Sequence, residues 1–328
     1  MKLTILSAAA CLLTLPSMAQ ERPVLPPRPY TASNFPASTA SAKQMQVLHI
    51  GKDARQVSYT HDVNYVTRDG VRLTLQLLAP KETARKLPCI VYVQGSAWRK
   101  QDVYANLPQL AEFAKRGYVV AIVEYRPTSV AKFPAQLQDA KTAIRFMRAH
   151  ADTYHVDPDN IFVWGDSSGG HTALLVGLTE GQAALDTKDL NQYSAHVNAV
   201  VDFYGPTDIT QMNLEPSTLD HISPDSPEGL LLGGKNVLEH RAEAALTNPI
   251  HYVQDARQAA PILLMHGSKD RIVPFQQSAL MAEALASKNC RYQFYQLAGA
   301  DHGSSEFWTK EAFDTVEAFL KQYLHSGH

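Results

Sequence analysis

The sequence predicts an α/β protein: a mostly parallel sheet with helices on both faces and one long cap-like insertion. Three observations predict it. Short continuous apolar runs such as Cys89-Ile90-Val91-Tyr92-Val93 suit strands buried on both faces. Longer amphipathic stretches alternate with those runs, as helices that cross over between parallel strands must. An Asp69-Gly70 pair separates two alternating segments, 57–66 and 71–78, which is the signal of an antiparallel hairpin at the start of the sheet.

The remaining elements follow in chain order. Strands are expected over 89–93, 118–125, 161–164, 197–204, 262–266 and 292–296, and helices over 104–115, 133–154, 170–179, 275–288 and 306–324. The stretch 205–258, rich in Pro, Gly and Asp, breaks the alternation. It is read as an excursion over the carboxyl edge of the sheet, where open α/β sheets bind ligands. At 328 residues and 45% hydrophobic content, the chain has material for one large catalytic domain, placed at 46–328.

Two segments precede that domain. Lys2, the apolar run beginning at Leu3, and the small residues around Ser17-Met18-Ala19 have the layout of an export signal over 1–19, so the protein is expected to be secreted or periplasmic. The run is shorter than the roughly 20 apolar residues a membrane span requires. Cys11, after Ala8-Ala9-Ala10, makes a lipoprotein the lesser alternative. Residues 20–45, with Pro26-Pro27-Arg28-Pro29, are read as an extended tether.

A net charge of −2 without a long basic run speaks against a nucleic-acid partner, because neutralising phosphates takes clustered Lys and Arg. Cys89 and Cys290 are read as buried thiols, and neither has neighbours at metal-ligand spacing. No metal or other cofactor is expected.

The chemistry begins at Gly165-Asp166-Ser167-Ser168-Gly169, between an expected strand and an expected helix. In that context the motif is a nucleophile elbow, a sharp turn that lifts the Ser167 hydroxyl clear of the sheet. A serine needs a base, and the base needs an acid to fix its tautomer. His302 follows the expected strand over 292–296 and is the candidate base; Asp270 follows 262–266 and is the candidate acid. Asp301 adjoins His302 too closely in the chain to accept from its ring, while Asp208 remains a rival acid. Backbone donors for an oxyanion are expected from Gln94-Gly95-Ser96-Ala97-Trp98 and from the Ser168 amide at a helix N-terminus. Trp98 either packs beneath its loop or faces the substrate; with Tyr204 it is the candidate substrate contact.

These segments, together with Tyr204-Gly205-Pro206-Thr207-Asp208 and Asn248-Pro249-Ile250, resemble those of secreted bacterial carbohydrate esterases, in particular the bifunctional acetylxylan and feruloyl esterase family of α/β hydrolases. The resemblance covers roughly 59–324. It implies the α/β-hydrolase fold, with Ser167 as nucleophile, Asp270 as acid and His302 as base, and oxyanion amides at Ser96, Ala97 and Ser168. It also implies a small-molecule or oligosaccharide ester as substrate and removal of acetyl or feruloyl groups from plant cell-wall material. An amidase or formamidase of the same fold and a non-catalytic ligand-binding hydrolase are the alternatives.

Overall fold

The computed structural model describes residues 25–49, 56–254 and 259–325. The expected export signal lies outside them. The chain divides into two units, Met1–Gly51 and Lys52–His328. In the first, residues 25–49 are all exposed and form no helix or strand, and Tyr30 meets Phe35 edge-on at 5.3 Å.

The second unit carries an eight-stranded sheet. In chain order its elements are β1 (Val57–Arg68), β2 (Val71–Pro80), β3 (Leu87–Val93), α1 (Leu107–Lys115), β4 (Val119–Val123), α2 (Ala135–Ala149), β5 (Val156–Asp166), α3 (Ser168–Leu178), β6 (Val200–Phe203), α4 (Pro227–Leu231), α5 (Arg241–Ala245), β7 (Ile262–Gly267), α6 (Gln276–Ser287), β8 (Tyr292–Leu297) and α7 (Lys310–Lys321). The strand order is β1-β2-β4-β3-β5-β6-β7-β8. The β1–β2 and β2–β4 pairs are antiparallel and every other pair is parallel.

Side chains alternating along the buried strands build two cores. Cys89, Val91, Val119, Ala121, Ile161, Val163, Ile262 and Leu264 point to one face, where α2, α3 and α6 supply Leu137, Ile144, Leu174 and Leu285. Their neighbours Ile90, Tyr92, Val120, Ile122, Phe162, Trp164, Leu263 and Met265 point to the other, against Phe113 of α1 and Phe313 and Phe319 of α7. In α2, Leu137, Ala140, Ala143, Ile144 and Met147 recur at helical spacing, which turns one continuous stripe to the sheet. Asp139 of the same helix is buried and accepts hydrogen bonds from Arg126 Nε at 2.8 Å and Arg68 Nη1 at 2.5 Å. That carboxylate ties the edge hairpin to the helical layer.

The expected elements are all present, with two informative differences. The helix expected over 306–324 is split into a 3₁₀ turn, Ser305–Trp308, and α7. Thr309 stands between them at φ −80°, ψ 162°, and its hydroxyl caps α7 by accepting from the Ala312 amide at 3.2 Å. The insertion after β6 is more than a loop: it holds α4, α5 and 3₁₀ turns, and Ile209, Met212, Leu232, Val237 and Ala244 form a small core of their own with Val273.

The cap generates a stability prediction. Thr309→Ala should cost about 1 kcal/mol, the usual price of a lost N-cap. Urea unfolding would register it as a lower midpoint at unchanged slope; an unchanged midpoint would mean that Trp308 and Phe313 alone hold the junction.

Candidate active site

Ser167 is the single residue between the end of β5 and the start of α3. It sits at φ 53°, ψ −127°, a region that side chains strongly disfavour. Neighbouring glycines make the turn possible. A Cβ at Gly165 would lie 2.1 Å from the Gly169 carbonyl oxygen, one at Gly169 would lie 1.9 Å from that of Val93, and one at Gly170 would lie 2.1 Å from Asp202 Oδ1. Only bare backbone lets α3 approach the strands this closely.

The three expected residues of the triad come together. His302, in the loop after β8, places Nε2 2.9 Å from Ser167 Oγ and Nδ1 2.7 Å from Asp270 Oδ2. A carboxylate can only accept, so the hydrogen of a neutral ring lies on Nδ1 and Nε2 is left to accept the serine proton. Asp270 also receives the amides of Ile272 at 2.8 Å and Val273 at 2.9 Å on Oδ1, while His266 Nε2 lies 3.2 Å from Oδ2. Burial works against its charge, but the hydrogen bonds from His266 and His302 outweigh burial and hold Asp270 well below the usual carboxylate range.

Both rival carboxylates are engaged elsewhere. Asp208 caps the 3₁₀ turn Ile209–Leu214 through the Thr210 amide at 3.0 Å and also accepts from Asn248 Nδ2 at 2.7 Å and Gln211 Nε2 at 2.6 Å. Asp301 accepts the amides of His302 at 2.8 Å and Arg271 at 3.0 Å, which shapes the loop that carries the imidazole.

The expected oxyanion donors divide. The Ser96 amide is already spent on Ser168 Oγ at 2.9 Å, so Ser96 drops out as a donor. Among the described residues, the amides of Ala97, in the loop after β3, and Ser168, in the first turn of α3, make no hydrogen bond to another residue and are the available pair. Asp166 fixes the base of that loop by accepting from the Gly95 amide at 2.9 Å and Tyr92 Oη at 2.5 Å.

The two expected substrate contacts are corrected. Trp98 is 1% exposed and donates its Nε1–H to His171 Nδ1 at 3.3 Å; Tyr204 is 1% exposed and lies under the His302 ring, 4.6 Å between centroids. Large flat side chains at these places are drawn into the interior, one behind the oxyanion loop and one beneath the base. His171 and His266 were not singled out in the sequence; both are buried, and their partners come from distant segments. Among the described residues, no group of three His, Cys, Asp or Glu side chains could hold a metal ion. Nor is any described helix long and apolar enough to cross a membrane.

Fold and site together define the α/β-hydrolase class. The chain belongs to the BD-FAE family, whose model matches residues 75–285. Among curated proteins, it is 29% identical to "Esterase LipC" of Mycobacterium tuberculosis over 76% of this chain and 61% of that protein, and 27% identical to "Esterase LipQ" of the same organism over 69% and 51%. It therefore spans less than two thirds of the length of either. Among solved structures, a truncated carbohydrate esterase from gut microbiota superposes with a TM-score of 0.73 at 28% identity, covering 83% of this chain and 98% of the other. A bifunctional GH43-CE protein of Bacteroides eggerthii gives 0.70 at 29%, covering 84% and 39%. The propionate-bound esterase Est2 of Thermogutta terrifontis gives 0.66 at 25%, covering 83% and 97%. The second unit is a BD-FAE domain of the α/β-hydrolase fold.

Below the elbow, Asp202 is fully buried; its Oδ1 accepts the Gly205 amide at 2.9 Å and its Oδ2 has no partner. Burial, reinforced by the nearby Asp166, pushes its pKa up to about 8. The folded state therefore binds a proton that the unfolded state has lost between the ordinary carboxylate value and about 8, so stability from this group is complete at low pH and falls as pH rises through that window. Asp202→Asn should flatten that fall. Unfolding free energies measured from pH 4 to 9 should converge with the parent's at the acidic end; parallel curves would mean that Asp202 is ionised throughout.

Proposed function

We propose that the protein is a serine carboxylic-ester hydrolase that removes acetyl or feruloyl groups from plant cell-wall polysaccharides or oligosaccharides. The observation that carries this reading is the hydrogen-bonded chain from Ser167 Oγ to His302 at 2.9 Å and from His302 to Asp270 at 2.7 Å. His302 takes the Ser167 proton as Oγ attacks the acyl carbon, and the tetrahedral oxyanion is met by the Ala97 and Ser168 amides. The acyl–oxygen bond then breaks, and His302 passes its proton to the departing sugar hydroxyl. Water, activated by the same imidazole, releases the acid from Ser167. The BD-FAE family match, the carbohydrate-esterase structure and the linkage of a CE unit to GH43 in a neighbour support a carbohydrate ester. The propionate-bound neighbour supports a short acyl group. The apolar run at the N-terminus and the Pro-rich stretch after it support export and a tether. The segment 205–258 is proposed to form one wall of the sugar or acyl site.

Ser167→Ala should fold normally and lower turnover of an aryl acetate by about a thousandfold or more, since only binding and oxyanion effects remain. Asp270→Asn should cost more than Asp208→Asn, and the reverse order would move the acid to the cap. A panel of acetyl, feruloyl and longer acyl esters of xylo-oligosaccharides tests the substrate; preference for simple alkyl esters over every sugar ester would refute the carbohydrate assignment.

Because its hydrogen bonds hold Asp270 well below the usual carboxylate range, it stays ionised in mildly acidic solution, and the pH–rate profile should show no step from this carboxylate there. A step in that range that vanishes in Asp270→Asn would contradict this expectation.

A further inference from the structure

We infer that Trp98 and His171 act as a positioning pair that aims the Ala97 amide at the oxyanion, an inference that rests on the serine-esterase reading above. Ala97 and Trp98 lie at φ 54° and 53°, two successive non-glycine residues in left-handed backbone. Such a turn does not hold itself, and the residues around it must keep it in place. It is anchored on either side of the Ala97 amide. Before it, the Ser96 amide donates to Ser168 Oγ at 2.9 Å; after it, the Trp98 indole donates to His171 Nδ1 at 3.3 Å and the rings meet edge-on at 5.0 Å.

Both anchors belong to the first turn of α3, the helix that begins directly after the nucleophile. The His171 amide itself donates to the Ser167 carbonyl at 3.1 Å. The loop is thus registered to the same short stretch of backbone that sets Ser167. The direction of the Trp98 bond is also determined. His171 Nε2 lies 2.7 Å from the Thr247 carbonyl, which can only accept, so the ring hydrogen is on Nε2 and Nδ1 is left as the acceptor for the indole. Burial pushes the ring's pKa down to about 4, which keeps it neutral at working pH. Thr247 lies in the insertion, so one imidazole joins oxyanion loop, nucleophile helix and cap.

An oxyanion donor strengthens its bond only as charge develops on the substrate oxygen, so misaiming it lowers kcat and leaves KM nearly unchanged. Trp98→Phe keeps the ring and its burial and removes the indole N–H. We expect kcat on an aryl acetate to fall about tenfold to a hundredfold, short of the roughly thousandfold loss of a whole oxyanion donor, with KM within about twofold. Affinity for an arylboronic acid, which forms a tetrahedral adduct on the serine, should fall by the same factor. His171→Asn, which removes the ring acceptor, should act alike, and the double variant should lose little more than either single one. An unchanged kcat in Trp98→Phe, whether its melting temperature is kept or lowered, would overturn the inference by making the contact structural only. Multiplying losses in the double variant would overturn it too. Retained activity in Ser167→Ala would instead topple the serine-esterase reading itself, so the two failures are distinguishable.

Discussion

Ser167 can occupy φ 53°, ψ −127° because the residues packed most closely around the turn, Gly165, Gly169 and Gly170, carry no side chains. Gly165, Gly169 and Gly170 are each within 2.1 Å of a would-be collision, with Gly169, Val93 and Asp202 respectively. This close contact of helix and strands governs the rest of the site. It sets the position of Ser167 and brings the loop after β3 beside the first turn of α3. The cost of the strained serine is met by the surrounding parallel sheet, whose strands are buried on both faces and cannot yield locally.

The oxyanion loop is consequently attached to the elbow at three points instead of standing alone. Asp166, next to the nucleophile in the chain, takes the Gly95 amide; Ser168, on its other side, takes the Ser96 amide; His171, one turn on, takes the Trp98 indole. Residues −1, +1 and +4 from Ser167 thereby fix Gly95, Ser96 and Trp98 of the opposing loop, on either side of Ala97. Electrostatic stabilisation of a transition state requires donors that are already in place when charge appears. Under the proposed mechanism, short-range bonds to the segment around Ser167 meet that requirement, because they tie the loop after β3 to that segment.

How far this was legible in the sequence depended on the range of the interaction. The elbow announces itself because glycine spacing and the strand-to-helix change are local, and Asp270 and His302 stood out as candidates because the first follows the apolar strand β7 and the second the alternating strand β8. Asp270 was the candidate acid from the sequence and Asp208 its rival; the coordinates add that Asp208 is committed to Thr210, Gln211 and Asn248. Ser96 was misassigned because its competitor for the amide, Ser168 Oγ, lies 72 residues away. His171 stands two residues after the Gly165–Gly169 motif, yet its meaning comes from Trp98 and Thr247, 73 and 76 positions distant. The break at Thr309 was hidden for the opposite reason, since apolar periodicity continues across it through Phe307, Trp308 and Phe313.

Two carboxyls near the nucleophile show how donor supply decides charge at nearly equal burial. Asp270 is fully enclosed at its side chain but receives two amides and two imidazoles, and it stays ionised far into acid. Asp202, equally enclosed, receives the single Gly205 amide, keeps one oxygen unpaired and holds a proton up to about pH 8. The distinction has a catalytic consequence under the proposed mechanism. The imidazolium formed when His302 takes the serine proton is balanced by one adjacent negative charge. A second charge at Asp202, directly beneath the Gly170–Gly205 contact, would oppose the developing oxyanion at the N-terminus of α3 and weaken the helix end that is meant to stabilise it. Leaving Asp202 short of donors therefore withholds one charge from beneath the elbow while the base retains its ionised partner.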